Sequence, residues 1–252
     1  MTREHVAGGD PHPADDRLRE TVISSRTVHR GHYLEVRVDA IATPDGGRST
    51  RDVVAHPGAV AIVALDADDA VLMVRQFRLA AGRTLLEIPA GTLDRVDDGG
   101  VEDPDLAAPR ELEEETGFRA GSWEHLGAFW TAPGFATELM HLYLARELVP
   151  AHENRLRPDE DERLELQRVP WREAVAMAER GEIADAKSLV GLLRLARIMD
   201  AAAPLIGPQG ALMVTEETLA AAIGRAWPTG RNTPSNLVLS AASIMAALRT
   251  DP

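Results

Sequence analysis

Cysteine is absent from all 252 residues. That excludes disulfides, thiolate metal sites and thiol nucleophiles together, and leaves oxygen and imidazole groups as the available metal ligands. Long apolar runs are missing too: no stretch approaches the roughly 20 consecutive apolar residues of a membrane-crossing helix. The opening MTREHVAGGDPHPADD lacks the apolar core of a signal peptide, so the expected location is the cytoplasm. Positive charge is in deficit, with 27 Lys and Arg against 40 Asp and Glu, a formal net charge of −13. A broad nucleic-acid surface needs a basic footprint, so nucleic acid is not an expected partner. A small anionic ligand would need local help from arginines or metal ions.

The chain is long enough for one α/β domain with an appendage. Residues 1–17, rich in Gly, Pro, Asp and His, are expected to be a mobile arm. Residues 18–56 alternate as strands, with Pro44, Asp45, Gly46 and Gly47 making a hairpin turn. Gly58 to Leu65 and Ala70 to Gln76 read as buried strands. Helical periodicity takes over from Leu106 to Glu115, strands return at His125 to Phe129 and Leu139 to Ala145, and helices follow at Trp171 to Gly181 and Ala186 to Met199. Residues 57–200 are therefore the expected main domain, a mixed-sheet α/β/α sandwich. Residues 201–252 read as a C-terminal helical extension, with helices near 215–226 and 235–249. Its last helix carries an apolar stripe that includes Leu237, Ile244 and Leu248, and is expected to pack on the main domain or a partner copy.

The segment LEIPAGTLDRVDDGGVEDPDLAAPRELEEETGF, Leu86 to Phe118, carries the chemistry. On a helix Glu111, Glu114 and Glu115 share one face. Like charges so placed repel, and the cluster invites a hard divalent cation that prefers oxygen ligands. Taken alone, such a cluster also fits a merely solvated acidic face.

The flanking residues resemble the Nudix family, whose box runs G(x5)E(x7)REU(x)EE(x)GU. From Glu102 through Arg110, Glu111, Glu114, Glu115, Gly117 and Phe118 the match is complete. Ten residues instead of five separate Gly91 from Glu102, so the loop carries an insertion, RVDDG or its equivalent. Pro109 removes one backbone donor inside the helix and is expected to kink its first turns. The resemblance implies that Glu111, Glu114, Glu115 and the carbonyl of Ala90 hold Mg²⁺, with Mn²⁺ as an alternative. It also implies that Arg110 pairs with Glu102, and that Gly91 and Gly117 serve close approach and helix termination.

Further segments look like the ADP-ribose pyrophosphatase branch: Gln76, Phe77 and Arg78 before LEIPAG, TAPGFATE at Thr131 to Glu138, RPDEDERLEL at Arg157 to Leu166, and GEIADAKSL at Gly181 to Leu189. Pro133 lies fifteen residues beyond Phe118, the offset that marks this branch. Arg78, Pro133, Gly134 and Glu138 are the expected substrate contacts. Glu160 and Glu162 are the candidates to deprotonate the attacking water or complete a metal site. Aromatic residues make up only 4% of the chain, so an adenine would stack on one or two rings. The implied activity is metal-assisted hydrolysis of ADP-ribose to AMP and ribose 5-phosphate. Hydrolysis of another nucleoside diphosphate derivative is a rival, and a non-catalytic ADP-ribose-sensing module is a rival of another class. The resemblance further implies a homodimer that exchanges its N-terminal strands, here Thr21 to Ala42.

Overall fold

The computed structural model describes residues 15–96, 99–151, 156 and 163–202. The chain divides into two units, 1–197 and 198–252. The helices expected near 215–226 and 235–249 lie outside the described residues. So do residues 1–14, whereas Asp15, Asp16 and Arg17 of the expected mobile arm form a 3₁₀ turn with Leu18.

Strands β1 (Thr21–Arg30), β2 (Glu35–Ala42) and β3 (Arg48–Ala55) make an antiparallel sheet in that order. The turn expected at Pro44 to Gly47 closes β2 onto β3: the Gly46 N–H donates to the Thr43 carbonyl at 2.9 Å. Gly46 sits at φ 85°, a left-handed conformation that side chains resist. All ten residues of β1 are exposed, so this edge strand has no cover among the described residues.

The second sheet has seven strands: β4 (Ala59–Leu65), β5 (Ala70–Arg78), β6 (Arg83–Glu87), β7 (Ala90–Thr92), β8 (Phe118–Trp130), β9 (Leu139–Pro150) and β10 (Leu164–Pro170). Its order is β10-β5-β4-β9-β8, with β6 beside β5 and β7 beside β4. The β4–β9 ladder is parallel. Helices α1 (Pro104–Thr116), α2 (Trp171–Glu179) and α3 (Ala186–Ala202) complete the domain.

The continuous apolar run of β4 is buried along its whole length, because helices cover both faces. Val60, Ile62 and Ala64 point to one side and pack with Ala107, Ala108 and Leu112 of α1. On the other side Val63 meets α3 at Gly191, where an added Cβ would stand 3.0 Å from Val63 Cγ2 and 2.9 Å from Ile88 Cδ1. Glycine there lets the helix seat against the sheet. The result is the α/β/α sandwich expected from the sequence. Leu112 is fully buried, and its truncation to alanine would cost about 2–5 kcal/mol.

Helix α1 begins two residues before its apolar periodicity. Asp103 caps it by accepting from the Asp105 N–H at 3.0 Å, and Pro104 occupies the first turn, where its missing donor costs nothing. The helix continues through Pro109 to Thr116. It ends at Gly117, φ 72°, whose N–H reaches the Glu113 carbonyl at 2.9 Å.

Several strands exceed or escape the periodicity. β8 and β9 are longer than expected because they pair with each other over nearly their full lengths. β6, β7 and β10 are too short or too polar to declare themselves. The end of the expected acidic loop, from Leu164, is instead the start of β10, which pairs with β5.

Candidate functional site

A cleft of about 380 Å³ opens where β7, the start of β4, the 131–140 segment and the N-terminus of α3 come together. Arg78, Glu87 and Lys187 line one side, and His56, Thr131 and Glu138 also face it. Ala90 and Gly91 form part of the same wall.

Glu87 is only 1% exposed and lies between two cations. Arg78 donates from Nε to Glu87 Oε1 at 3.0 Å and from Nη2 to Oε2 at 2.7 Å. Lys187 Nζ donates to Glu87 Oε2 at 2.5 Å and lies 3.0 Å from Asp185. Burial alone would raise the Glu87 carboxyl, but the Arg78 hydrogen bonds and the Lys187 charge outweigh it and hold the group below the usual carboxylate range. The Glu87 bonds in turn hold Arg78 firmly cationic. Asp185 caps α3 through the Ser188 N–H at 3.0 Å and accepts from the Ser188 hydroxyl at 2.6 Å. The same hydroxyl accepts from the Ile88 N–H at 2.9 Å, which joins the helix start to the segment after Glu87.

On the facing side, Thr131 Oγ1 donates to Glu138 Oε2 at 2.5 Å, and His56 Nε2 lies 3.7 Å from Glu138 Oε1. His56 Nδ1 accepts the Gly58 N–H at 3.1 Å, so the neutral ring carries its proton on Nε2, toward Glu138. Burial lowers the His56 imidazolium, Glu138 pulls it upward, and Arg95 lowers it further; the balance favours the neutral ring.

Behind β7 stands the carboxylate face of α1. Arg110 binds Glu102 through Nε at 3.1 Å and Nη2 at 2.7 Å, and its Nη1 reaches Glu111 at 2.8 Å and Glu114 at 2.9 Å. These contacts draw Glu102 below its ordinary value. Glu115 Oε2 accepts the Ala90 N–H at 3.0 Å. Gly91 faces Glu111 so closely that an added Cβ would fall within the carboxylate. Glu113 points elsewhere and takes two hydrogen bonds from Arg119, each 2.7 Å. Among the described residues, no three carboxylate or imidazole groups already converge as a metal cage. The donor set itself, carboxylates on one helix face beside the β7 backbone, is of the hard-oxygen type that Mg²⁺ and Mn²⁺ prefer.

The family description NUDIX domain matches residues 55–190, and Nucleoside diphosphate sugar hydrolase N-terminal domain matches residues 20–54. The chain belongs to the Nudix family. It is 40% identical over 171 residues to the ADP-ribose pyrophosphatase of Bacillus subtilis (strain 168), covering 68% of this chain and 89% of that protein. It is 41% identical over 171 residues to the ADP-ribose pyrophosphatase of Mycobacterium tuberculosis, covering 68% of this chain and 80% of that protein. A solved structure described as an ADP compounds hydrolase superposes with a TM-score of 0.63 at 25% identity, covering 74% of this chain and 97% of that one. The chain is a Nudix hydrolase with the Nudix fold.

Within this Nudix domain the residues expected from sequence fall into four groups. Arg78, Glu138, Ala90 and Gly91 line the cleft, and Glu102, Arg110, Glu111, Glu114, Glu115 and Gly117 cluster on or beside α1. Pro133 and Gly134 belong to the turn in which the Phe135 N–H donates to the Ala132 carbonyl at 3.0 Å, and are not among the cleft-lining residues. Glu160 and Glu162 lie outside the described residues. Sequence reasoning missed Glu87, Lys187 and His56. Glu87 had a signal: it is a lone charge inside the apolar run LLEIPA, where a carboxylate needs a partner.

Proposed function

We propose that this Nudix hydrolase cleaves the diphosphate of ADP-ribose to AMP and ribose 5-phosphate, with Mg²⁺, or Mn²⁺ in its place. Glu111, Glu114, Glu115 and the carbonyl of Ala90 are the proposed ligands. When bound, the metal would neutralise phosphate charge and acidify a water.

One observation carries the reading. Ala90 and Gly91 touch Glu115 and Glu111 on one side and line the Arg78–Lys187 cleft on the other. An anionic diphosphate in that cleft would lie between fixed cations and the carboxylate helix, an arrangement suited to a charge that metal ions must share. Arg78 orients the diphosphate through the guanidinium that Glu87 holds in place. Glu138, held by Thr131 and facing His56, accepts a ribose hydroxyl. Arg110, in its contacts with Glu102, Glu111 and Glu114, steadies the helix face against its own repulsion. Glu160 and Glu162 remain the proposed acceptors of the water's proton. The similarity to two ADP-ribose pyrophosphatases supports this substrate over others.

The match of residues 20–54 to a nucleoside diphosphate sugar hydrolase segment favours one second reading, a sugar nucleotide as substrate. We also propose a cytoplasmic homodimer that uses the exposed β1. The test is product analysis after incubation with Mg²⁺ and, separately, ADP-ribose and a panel of sugar nucleotides. AMP and ribose 5-phosphate released fastest from ADP-ribose support the first reading. Faster cleavage of a sugar nucleotide supports the second.

A further inference from the structure

A second cavity, also about 380 Å³, lies beside the cleft and shares Tyr33 with it as a wall. It is formed by the β1–β2 turn and by Arg95. Tyr33 is half exposed, and its ring meets His56 edge-on at 5.6 Å. His56 itself faces the main cleft, so a ligand reaching past His56 and Tyr33 arrives at Arg95.

Arg95 stands on the insertion that lengthens the Gly91–Glu102 loop of this chain. Its described ends are tied together: Arg95 bridges to Val101, and the Glu102 N–H donates to the Asp94 carbonyl at 2.8 Å. Arg95 is exposed and forms no ion pair among the described residues. Arg30, on the same cavity, is occupied by Glu35 through hydrogen bonds of 2.9 and 2.6 Å. In a chain of net charge −13, a guanidinium that faces a concave surface and has no ion pair among the described residues suits a bound anion. Its charge also reaches the main cleft, since it is among the influences that keep His56 neutral.

We propose that Arg95 and Tyr33 form a subsite for an additional phosphate carried on the ring-bearing half of the substrate. The preferred ligands are then nucleoside diphosphate derivatives bearing a phosphate monoester on a ribose, with the diphosphate at Arg78 and Lys187 and the extra phosphate at Arg95. A guanidinium recognises such a group through paired, charge-assisted hydrogen bonds. This inference rests on the proposed function for the placement of the diphosphate.

The test compares equilibrium binding of AMP and of adenosine 2′,5′-bisphosphate to the full chain, and hydrolysis of ADP-ribose against its 2′-phosphate. The wild type is expected to bind the bisphosphate about tenfold more tightly than AMP, the effect of one well-placed charged contact. Arg95→Ala should bring that ratio close to one and lower relative kcat/KM for the phosphorylated substrate to the same degree. Arg95→Glu should invert the preference. Equal affinities in the wild type, or a preference that survives Arg95→Ala, overturn the subsite. A chain that prefers the bisphosphate through Arg95 but hydrolyses neither substrate supports the subsite and overturns the hydrolytic reading.

Discussion

Gly91 and Glu111 are in such close approach that no side chain fits between them: a Cβ on Gly91 would overlap the Glu111 carboxylate. The Gly91 backbone is not in the left-handed region, so an alanine there is opposed by contact alone, and the Glu111 carboxylate must move to admit it. Gly91→Ala should therefore displace Glu111 and lower turnover by about 100-fold, the usual consequence of a misplacement near 1 Å. Mn²⁺ affinity, followed by titration, should fall with it. Unchanged turnover and Mn²⁺ affinity would show that Glu111 is not at the reacting centre.

Glu115→Gln keeps an oxygen to accept the Ala90 N–H and loses only the charge. The variant should fold, with circular dichroism and melting temperature close to the wild type, and lose most of its activity. Near-normal turnover would remove Glu115 from the metal ligands.

Arg78→Lys keeps the positive charge and gives up the two-point hold on Glu87. KM should rise more than kcat falls, because the contact grips the diphosphate before the reaction begins. Steady-state kinetics with ADP-ribose checks this, and an unaltered KM would place Arg78 outside the substrate's reach.

Lys187→Met leaves the buried Glu87 with Arg78 as its remaining cation. Losing one partner of a buried pair typically costs roughly 3–5 kcal/mol, and the cost here should be smaller because Arg78 stays. Glu87 is held below its ordinary 4.5 in the fold, so its pairing contributes fully above that value and is lost as pH falls through the lower folded value. The variant's folded value rises toward 4.5, and its acid-unfolding midpoint should move to higher pH. An acid titration by fluorescence reads this directly; an unmoved midpoint would mean that Lys187 does not stabilise the carboxylate.

Val22, Ile23 and Val28 are exposed on β1, an apolar edge that a second copy would cover. Ile23→Lys should shift the protein from dimer to monomer in sedimentation velocity at micromolar concentration. A wild type that sediments as a monomer would rule out the exchange.

Local pattern was enough for α1. Gly117 marks its end, and the spacing of Glu111, Glu114 and Glu115 follows from the helical repeat, whatever the rest of the chain does; the start at Pro104, capped by Asp103, precedes the apolar periodicity. The Thr43–Gly47 turn and the buried β4 were legible for the same reason: turn chemistry and apolar runs are properties of neighbouring residues. The Arg110–Glu102 pair, eight residues apart, was implied by the family resemblance and is present.

Tertiary structure alone decided the rest. Glu87 and Lys187 are 100 residues apart, and His56 is hydrogen-bonded to Thr137 across 81. No periodicity connects such pairs; they meet because β4 runs parallel to β9 and α3 returns across the sheet to seat Gly191 on Val63. The sequence by itself determined which helix bears the carboxylates and how they are spaced. Which cations face them, and that Ala90 and Gly91 stand between the two, depended on strand order, because long-range ion pairs are set by topology and not by local conformational preference.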